Sequence, residues 1–138
     1  MRKNKKYYKE FEFEFKTNSK LNFINEFLNT KIENKYINLL SINENIFFNK
    51  EKKKFSRIIL YYELIEIKLN QYNIIRLHIS TLKDEIDENL NKFNKIFNEN
   101  MKKNNIKLIN TSTNHYIENS KLNVRVSYFI NIIKDDKL

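Results

Sequence analysis

The sequence predicts an α+β fold, and three observations predict it. Residues 9–17 alternate apolar and charged side chains with a period of two. Two later segments repeat apolar residues at helical spacing, and runs rich in β-branched and aromatic residues flank them.

In the first strand Phe11, Phe13 and Phe15 face one side, with Glu10, Glu12, Glu14 and Lys16 on the other, the pattern of a half-buried strand. Asn18 or Ser19 then stands where a helix N-cap belongs. Leu21, Ile24, Leu28 and Ile32, widened by Phe27, form the apolar stripe of the helix. It is expected to end near Asn34, in a left-handed cap that Asn takes because the chain has no Gly. Residues 36–48 read as a second strand, 49–54 (NKEKKK) as a polar connection, and 55–69 as a long strand, together a hairpin with a positive tip. A short apolar run, 74–79, precedes Thr81, which stands three residues before Asp84 as an N-cap would. Asp84, Glu85, Asp87 and Glu88 fall where a helix dipole favours negative charge. Leu82, Ile86, Leu90, Phe93, Phe97 and Met101 make the stripe of this second helix, and 106–112 the strand after it.

This order is that of a ferredoxin-like βαββαβ sandwich with a long basic β-hairpin. An extra alternating strand (Leu122, Val124, Val126, Tyr128, Ile130, Ile132) lies in the tail, placed to extend a sheet edge or to pair with a partner. The expected organisation is a basic arm (1–8), one ferredoxin-like domain (9–112) and a C-terminal extension (113–138), with no internal repeat.

Composition narrows the class. The 138 residues include 22 Lys, 24 Asn, 20 Ile, 11 Phe and 8 Tyr but no Gly, Pro, Cys, Trp or Ala. Gly, Pro and Ala have GC-rich codons and the abundant types AT-rich ones, so the gene is read as extremely AT-rich, as organellar, reduced endosymbiont and some viral genomes are. A chain of this length buries a core without disulfides or metals, and the lack of Cys excludes disulfides and Cys-ligated metal centres. Charged or Asn residues interrupt every apolar run before it reaches a membrane span, so no membrane partner is expected. The first ten residues carry neither a secretory segment nor an amphipathic transit pattern, so for a protein that works in an organelle synthesis there is the expectation.

A net charge of +9 and a pI near 9.6 ordinarily point to a polyanion. Codon bias by itself inflates Lys, however, so the placement of charge decides. Arg2, Lys3, Lys5, Lys6 and Lys9 crowd the first nine residues, and Lys50, Lys52, Lys53, Lys54 and Arg57 crowd the hairpin tip, whereas 83–99 is net negative. Ammonium groups on a projecting loop neutralise closely spaced phosphates and release counterions. The expected RNA-binding residues are Lys50, Lys52, Lys53, Lys54 and Arg57, with Arg2, Lys3, Lys5 and Lys6 in an arm that orders on RNA. With 22 Lys against 4 Arg, recognition by charge and shape is expected rather than bidentate base readout.

Several segments resemble protein ten of the small ribosomal subunit over about residues 9–112. FEFEFKTNSKL (11–21) is similar to that family's opening strand with its basic residue and polar turn. IFFNKEKKKFSRIIL (46–60) has its apolar strand end, basic loop and aromatic residue before a β-branched return strand. YELIEIKLNQYNIIRLHIST (62–81) resembles its approach to the second helix. The family's Gly-Pro and Leu-Pro-Thr signature is replaced by Asn45–Asn49, its Ser-Pro-His stretch has no counterpart, and the connection from Phe55 to Glu66 is several residues shorter. The resemblance implies a ribonucleoprotein of the small ribosomal subunit, its hairpin reaching into ribosomal RNA of the subunit head and its surface touching neighbouring ribosomal proteins. Composition favours the mitochondrion over the plastid.

Other chemistry finds little support. His78 and His115, the only histidines, lack metal-ligand or His–Asp spacing, and Glu63 and Glu66 do not share a strand face. Without Gly no phosphate-binding glycine loop exists. The aromatics follow core spacing, although one of Tyr61 and Tyr62 must face outward. The expectation is a protein without catalytic residues, metal, cofactor or small-molecule substrate. The alternatives are a lineage-specific ribonucleoprotein subunit of similar fold, or a viral or plasmid protein that binds nucleic acid or oligomerises.

Overall fold

The computed structural model describes residues 5–14, 21–103 and 106–132. Six strands and two helices follow in the order β1 (Lys6–Glu14), α1 (Asn22–Leu28), β2 (Tyr36–Phe48), β3 (Lys54–Ile65), β4 (Ile74–Leu82), α2 (Ile86–Lys103), β5 (Ile106–Glu118) and β6 (Lys121–Ile132), with one 3-10 turn (Lys83–Glu85) leading into α2. The fold is α+β. The strands form two three-stranded antiparallel sheets, ordered β1-β3-β2 and β4-β6-β5, rather than one ferredoxin-like sheet. Two differences from the expected order produce this. The run after residue 73 is a full strand, β4, and the tail strand β6 is the centre of the second sheet rather than an edge. Its partner β5 extends to Glu118, past the expected domain boundary at 112.

Each sheet is therefore built from the same unit, strand–helix–strand–strand, with the last strand between the other two. The sequence carries no visible repeat, yet the pairing repeats even in its irregularities. The β2–β3 register shifts between Leu39 and Ser41, opposite Tyr62 and Tyr61, and the β5–β6 register shifts between Leu108 and Asn110, opposite Ile130 and Phe129.

The first unit buries one face of its sheet. Along β3, Ser56, Ile58, Leu60, Tyr62 and Leu64 are buried, and Ile24 and Leu28 of α1 join Ile58, Leu60 and Tyr62 in one core cluster. Phe11 and Phe13 pack on Phe23, and Phe27 meets Tyr62 edge-on, so the phenylalanines of β1 are core residues as their alternation predicts. Helix α1 ends at Leu28, well before Asn34. Asn34 does adopt a left-handed conformation, but with Glu33 in a reverse turn closed by Ile32 and Lys35. The proposed cap at Asn18 or Ser19 lies outside the described residues.

The second unit buries both faces of β6. Val124, Val126, Tyr128 and Ile130 lie under α2, where the ring of Tyr128 stacks on Phe93 and Phe97 at 4.8 and 5.1 Å. Arg125, Ser127, Phe129 and Asn131 turn to the other side, against the first unit. Thr81 does not cap α2; it belongs to β4, and its hydroxyl accepts a hydrogen bond from Asn89 Nδ2 at 2.9 Å.

Asparagine joins the units. Asn25 donates to the Ile74 carbonyl and accepts from its N–H (3.0 and 2.6 Å), and Asn29, one turn on, does the same at Tyr72 (2.8 Å each). On β5, Asn110 bonds both backbone groups of Ile42, Ser112 accepts from the Glu44 N–H at 3.0 Å, and Asn114 bonds Ile46 N–H and the Glu44 carbonyl at 3.1 and 2.7 Å. A carboxamide carries the same donor and acceptor as a peptide unit. Alternate side chains of β5 thus satisfy the outward backbone groups of β2, an edge that would otherwise invite pairing with another chain.

Candidate nucleic-acid interface

The hairpin between β2 and β3 closes in a tight loop built on Asn49. Its N–H donates to the Lys53 carbonyl, its carbonyl accepts from the Lys52 N–H (3.0 Å each), and its Oδ1 accepts from the N–H groups of Glu51 and Lys53 at 2.9 Å. Lys52 takes φ 62°, a conformation that Gly would usually supply and that this Gly-free chain assigns to Lys. The loop is thus ordered by backbone and Asn contacts, leaving the ammonium groups of Lys50, Lys52 and Lys53 exposed. Only Lys53 has an ion-pair partner within the loop, Glu51 at 3.8 Å, and both are exposed.

The other expected residues fall elsewhere. Lys54 turns onto the second unit: its Nζ lies 4.3 Å from the Tyr116 ring centroid and 3.4 Å from Glu118. Arg57 lies on the outer face of the first sheet, with Nε and Nη2 donating to Glu12 Oε1 at 3.1 and 2.8 Å and its guanidinium over the Phe47 ring at 4.9 Å. The Glu12 hydrogen bond raises the Arg57 pKa further. Lys6 opens β1 and pairs in register with Glu63, so it sits at the opposite end of the sheet from the tip, with exposed Lys5 just before it. From Lys54 to Glu63, β3 spans about 30 Å at roughly 3.3 Å per residue. Arg2 and Lys3 lie outside the described residues. Lys5 and Lys6 therefore do not join the tip lysines in one surface.

The tip gains neighbours from the second hairpin instead. Phe48 contacts Tyr116, and Glu118, which pairs in register with Lys121, also holds Lys54. On the same strand as Tyr116 and Glu118, His115 Nε2 lies 3.5 Å from Lys83 Nζ. Both hairpins thus finish at the same end of the molecule, where Lys50, Lys52, Lys53, Lys83 and Lys121 are exposed.

Behind this end lies a charge cluster that sequence reading missed. Glu44 of β2 is fully buried between the sheets. Its carboxylate accepts from Ser56 Oγ (2.8 Å), Ser127 Oγ (2.6 Å) and Arg125 Nε (3.1 Å), and it pairs closely with Arg76 Nη1. Burial alone pushes Glu44 up, but Arg76, Arg125, Ser127 and Ser56 together hold it below the ordinary carboxylate range. His78 is lowered, first by burial and then by Arg125 and Arg76. The available signal was Glu44 at an apolar-face position between Ile42 and Ile46, in phase with core residues of the same strand. Among the described residues no cluster of His, Asp and Glu is arranged to hold a metal ion.

No protein-family model, curated protein or solved structure matches this chain.

Proposed function

We propose that this chain is a non-catalytic structural constituent of an organellar, mitochondrial small ribosomal subunit, which holds ribosomal RNA of the head and touches neighbouring ribosomal proteins. The observation that carries the reading is the loop at residues 49–53, an ordered turn whose three lysines project into solvent between two apolar strands. Lysines carried on an ordered hairpin meet phosphates without first ordering the backbone, and release counterions on contact. Lys83 and Lys121 add cations at the same end, beside the exposed Asp84 and Glu118. The family form of the proposal rests on residues 46–60 and 62–81, and the ferredoxin-like likeness enters as the order of elements up to β5, with β4 taken as part of the connection to α2.

Binding to ribosomal RNA should weaken steeply with salt. Replacing Lys50, Lys52 and Lys53 together by Ser should lower the slope of log K against log salt by about 2, at roughly 0.7–0.9 per phosphate contact. The native protein should sediment with small ribosomal subunits on a gradient. An unchanged slope in the triple variant would remove the tip as the RNA contact, and absence from the subunit fraction would remove the ribosomal assignment.

A further inference from the structure

The outer face of the first sheet is net negative in a chain that is net positive. On β1, Tyr8, Glu10, Glu12 and Glu14 point to this side, and on β3, Arg57, Tyr61 and Glu63 do, as the cross-strand register requires. Four carboxylates here face two cations, Lys6 and Arg57, in a chain of net charge +9. No other element packs over this face among the described residues, since α1 and the second sheet both lie on the inner side. The Tyr8 and Tyr61 rings stack at 4.7 Å, and Tyr8 remains 71% exposed.

Arg57 displays what the face accepts. Its guanidinium stacks on Phe47 while it donates twice to Glu12, so a ring and a carboxylate are occupied by one planar cation. Two same-face positions further along the sheet, beyond the Glu10–Ile59 pair, rings and carboxylates again stand together. The stacked tyrosines are flanked on their own strands by Glu10 and Glu63, each two residues on and on the same face. Glu63 also accepts from Asn38 Nδ2 at 2.9 Å, which orients its carboxylate.

We propose that this face docks an arginine-rich segment of a partner protein, one guanidinium lying on the Tyr8–Tyr61 pair between Glu10 and Glu63. The four carboxylates repel phosphates, which assigns the face to a cationic protein rather than to RNA. A guanidinium suits it better than an ammonium, because a planar fork stacks on a ring and bonds a carboxylate at once. The inference does not depend on the RNA reading of the hairpin tip.

The test is fluorescence anisotropy of a labelled ten-residue peptide of alternating Arg and Ser against the full chain, with a Lys–Ser peptide of equal charge beside it. The Arg peptide should bind several-fold more tightly. Tyr8→Ser should weaken it about 2- to 5-fold, the range of an exposed cation–π contact. Glu10→Gln with Glu63→Gln should weaken it by a comparable or larger factor. RNA binding should be unchanged or slightly strengthened in both variants. Circular dichroism and thermal melting check that the variants remain folded. Wild-type peptide affinity in both the Tyr8 and the Glu10/Glu63 variants would overturn the proposal. So would loss of RNA binding in Tyr8→Ser, which would make the face a base-stacking surface.

Discussion

The two halves of this protein share one topology but not one environment. Their central strands, β3 and β6, stand between equivalent partners beside equivalent register shifts. Yet β3 alternates buried and half-exposed residues along its whole length, whereas β6 is buried without a break from Val124 to Asn131. The difference comes from what each sheet is covered by. The short α1 and the second sheet share the inner face of the first sheet, while α2, with 18 residues, covers the far face of the second. Connectivity alone therefore does not set burial; the length of the helix and the stacking of the units do.

That comparison can be broken at several points, the largest first. Glu44→Gln should cost about 3–5 kcal/mol in chemical denaturation, because Arg76 and Arg125 stay buried without their counter-charge. Replacing Glu44, Arg76 and Arg125 together by leucines should restore much of that loss, since an apolar trio leaves no buried charge uncompensated. A triple variant as unstable as Glu44→Gln would show that the cluster does more than match charges.

Equivalent positions on the two central strands offer a direct contrast. Phe129, opposite Asn110, is fully buried, whereas Tyr61, opposite Ser41, is half-exposed and stacks on Tyr8. Phe129→Ala should cost about 3–5 kcal/mol, and Tyr61→Ala about 1 kcal/mol. Equal losses would refute the claim that the two strands differ in environment.

Smaller effects test the seam between the units. Asn110→Ala removes both bonds to Ile42 and should cost about 1–3 kcal/mol, with Asn114→Ala similar. If the seam also blocks edge pairing, the double variant should show self-association by sedimentation velocity. The mildest effects concern pH. Glu44 is lowered in the folded state, so its contribution is present above the unfolded carboxylate value of about 4.3 and is lost as pH falls through the lower folded value. His78 is also lowered, so the unfolded chain binds its proton first and stability declines slightly as pH drops below about 6.5. His78→Gln should flatten that shallow slope while leaving the acid limb unchanged.

Much of the architecture was legible. The alternation at Phe11 and Phe13 and the stripe Ile86, Leu90, Phe93, Phe97 and Met101 pointed to the correct elements, because strand and helix periods are local properties of a chain, whereas Leu82, placed at the head of that stripe, ends β4 instead. Tyr61 and Tyr62 divided between the two faces as adjacent strand residues must. The boundary of α1 was misjudged because Asn serves cap, turn and loop alike when Gly is absent, so Asn34 did not mark a helix end. The odd positions of β6 include the polar Asn123, Arg125, Ser127 and Asn131, and nothing local to the strand shows that Arg125, Ser127 and Asn131 are buried. Of the basic residues, Lys50, Lys52 and Lys53 stand exposed as their place at a hairpin tip suggested, while Lys54 and Arg57 turn to ring and carboxylate partners distant in sequence.

By itself the sequence determined the α+β class, most strands, both helical segments and a charged loop between two apolar strands, all of them consequences of short-range periodicity. Only the tertiary structure decided that the strands sort into two sheets and that a polar strand face closes over Glu44. It also decided that Lys6 and the tip lysines lie at opposite ends of one sheet. Those outcomes depend on pairing between residues far apart in the chain, and no local pattern encodes which polar residue will find its partner across a buried interface.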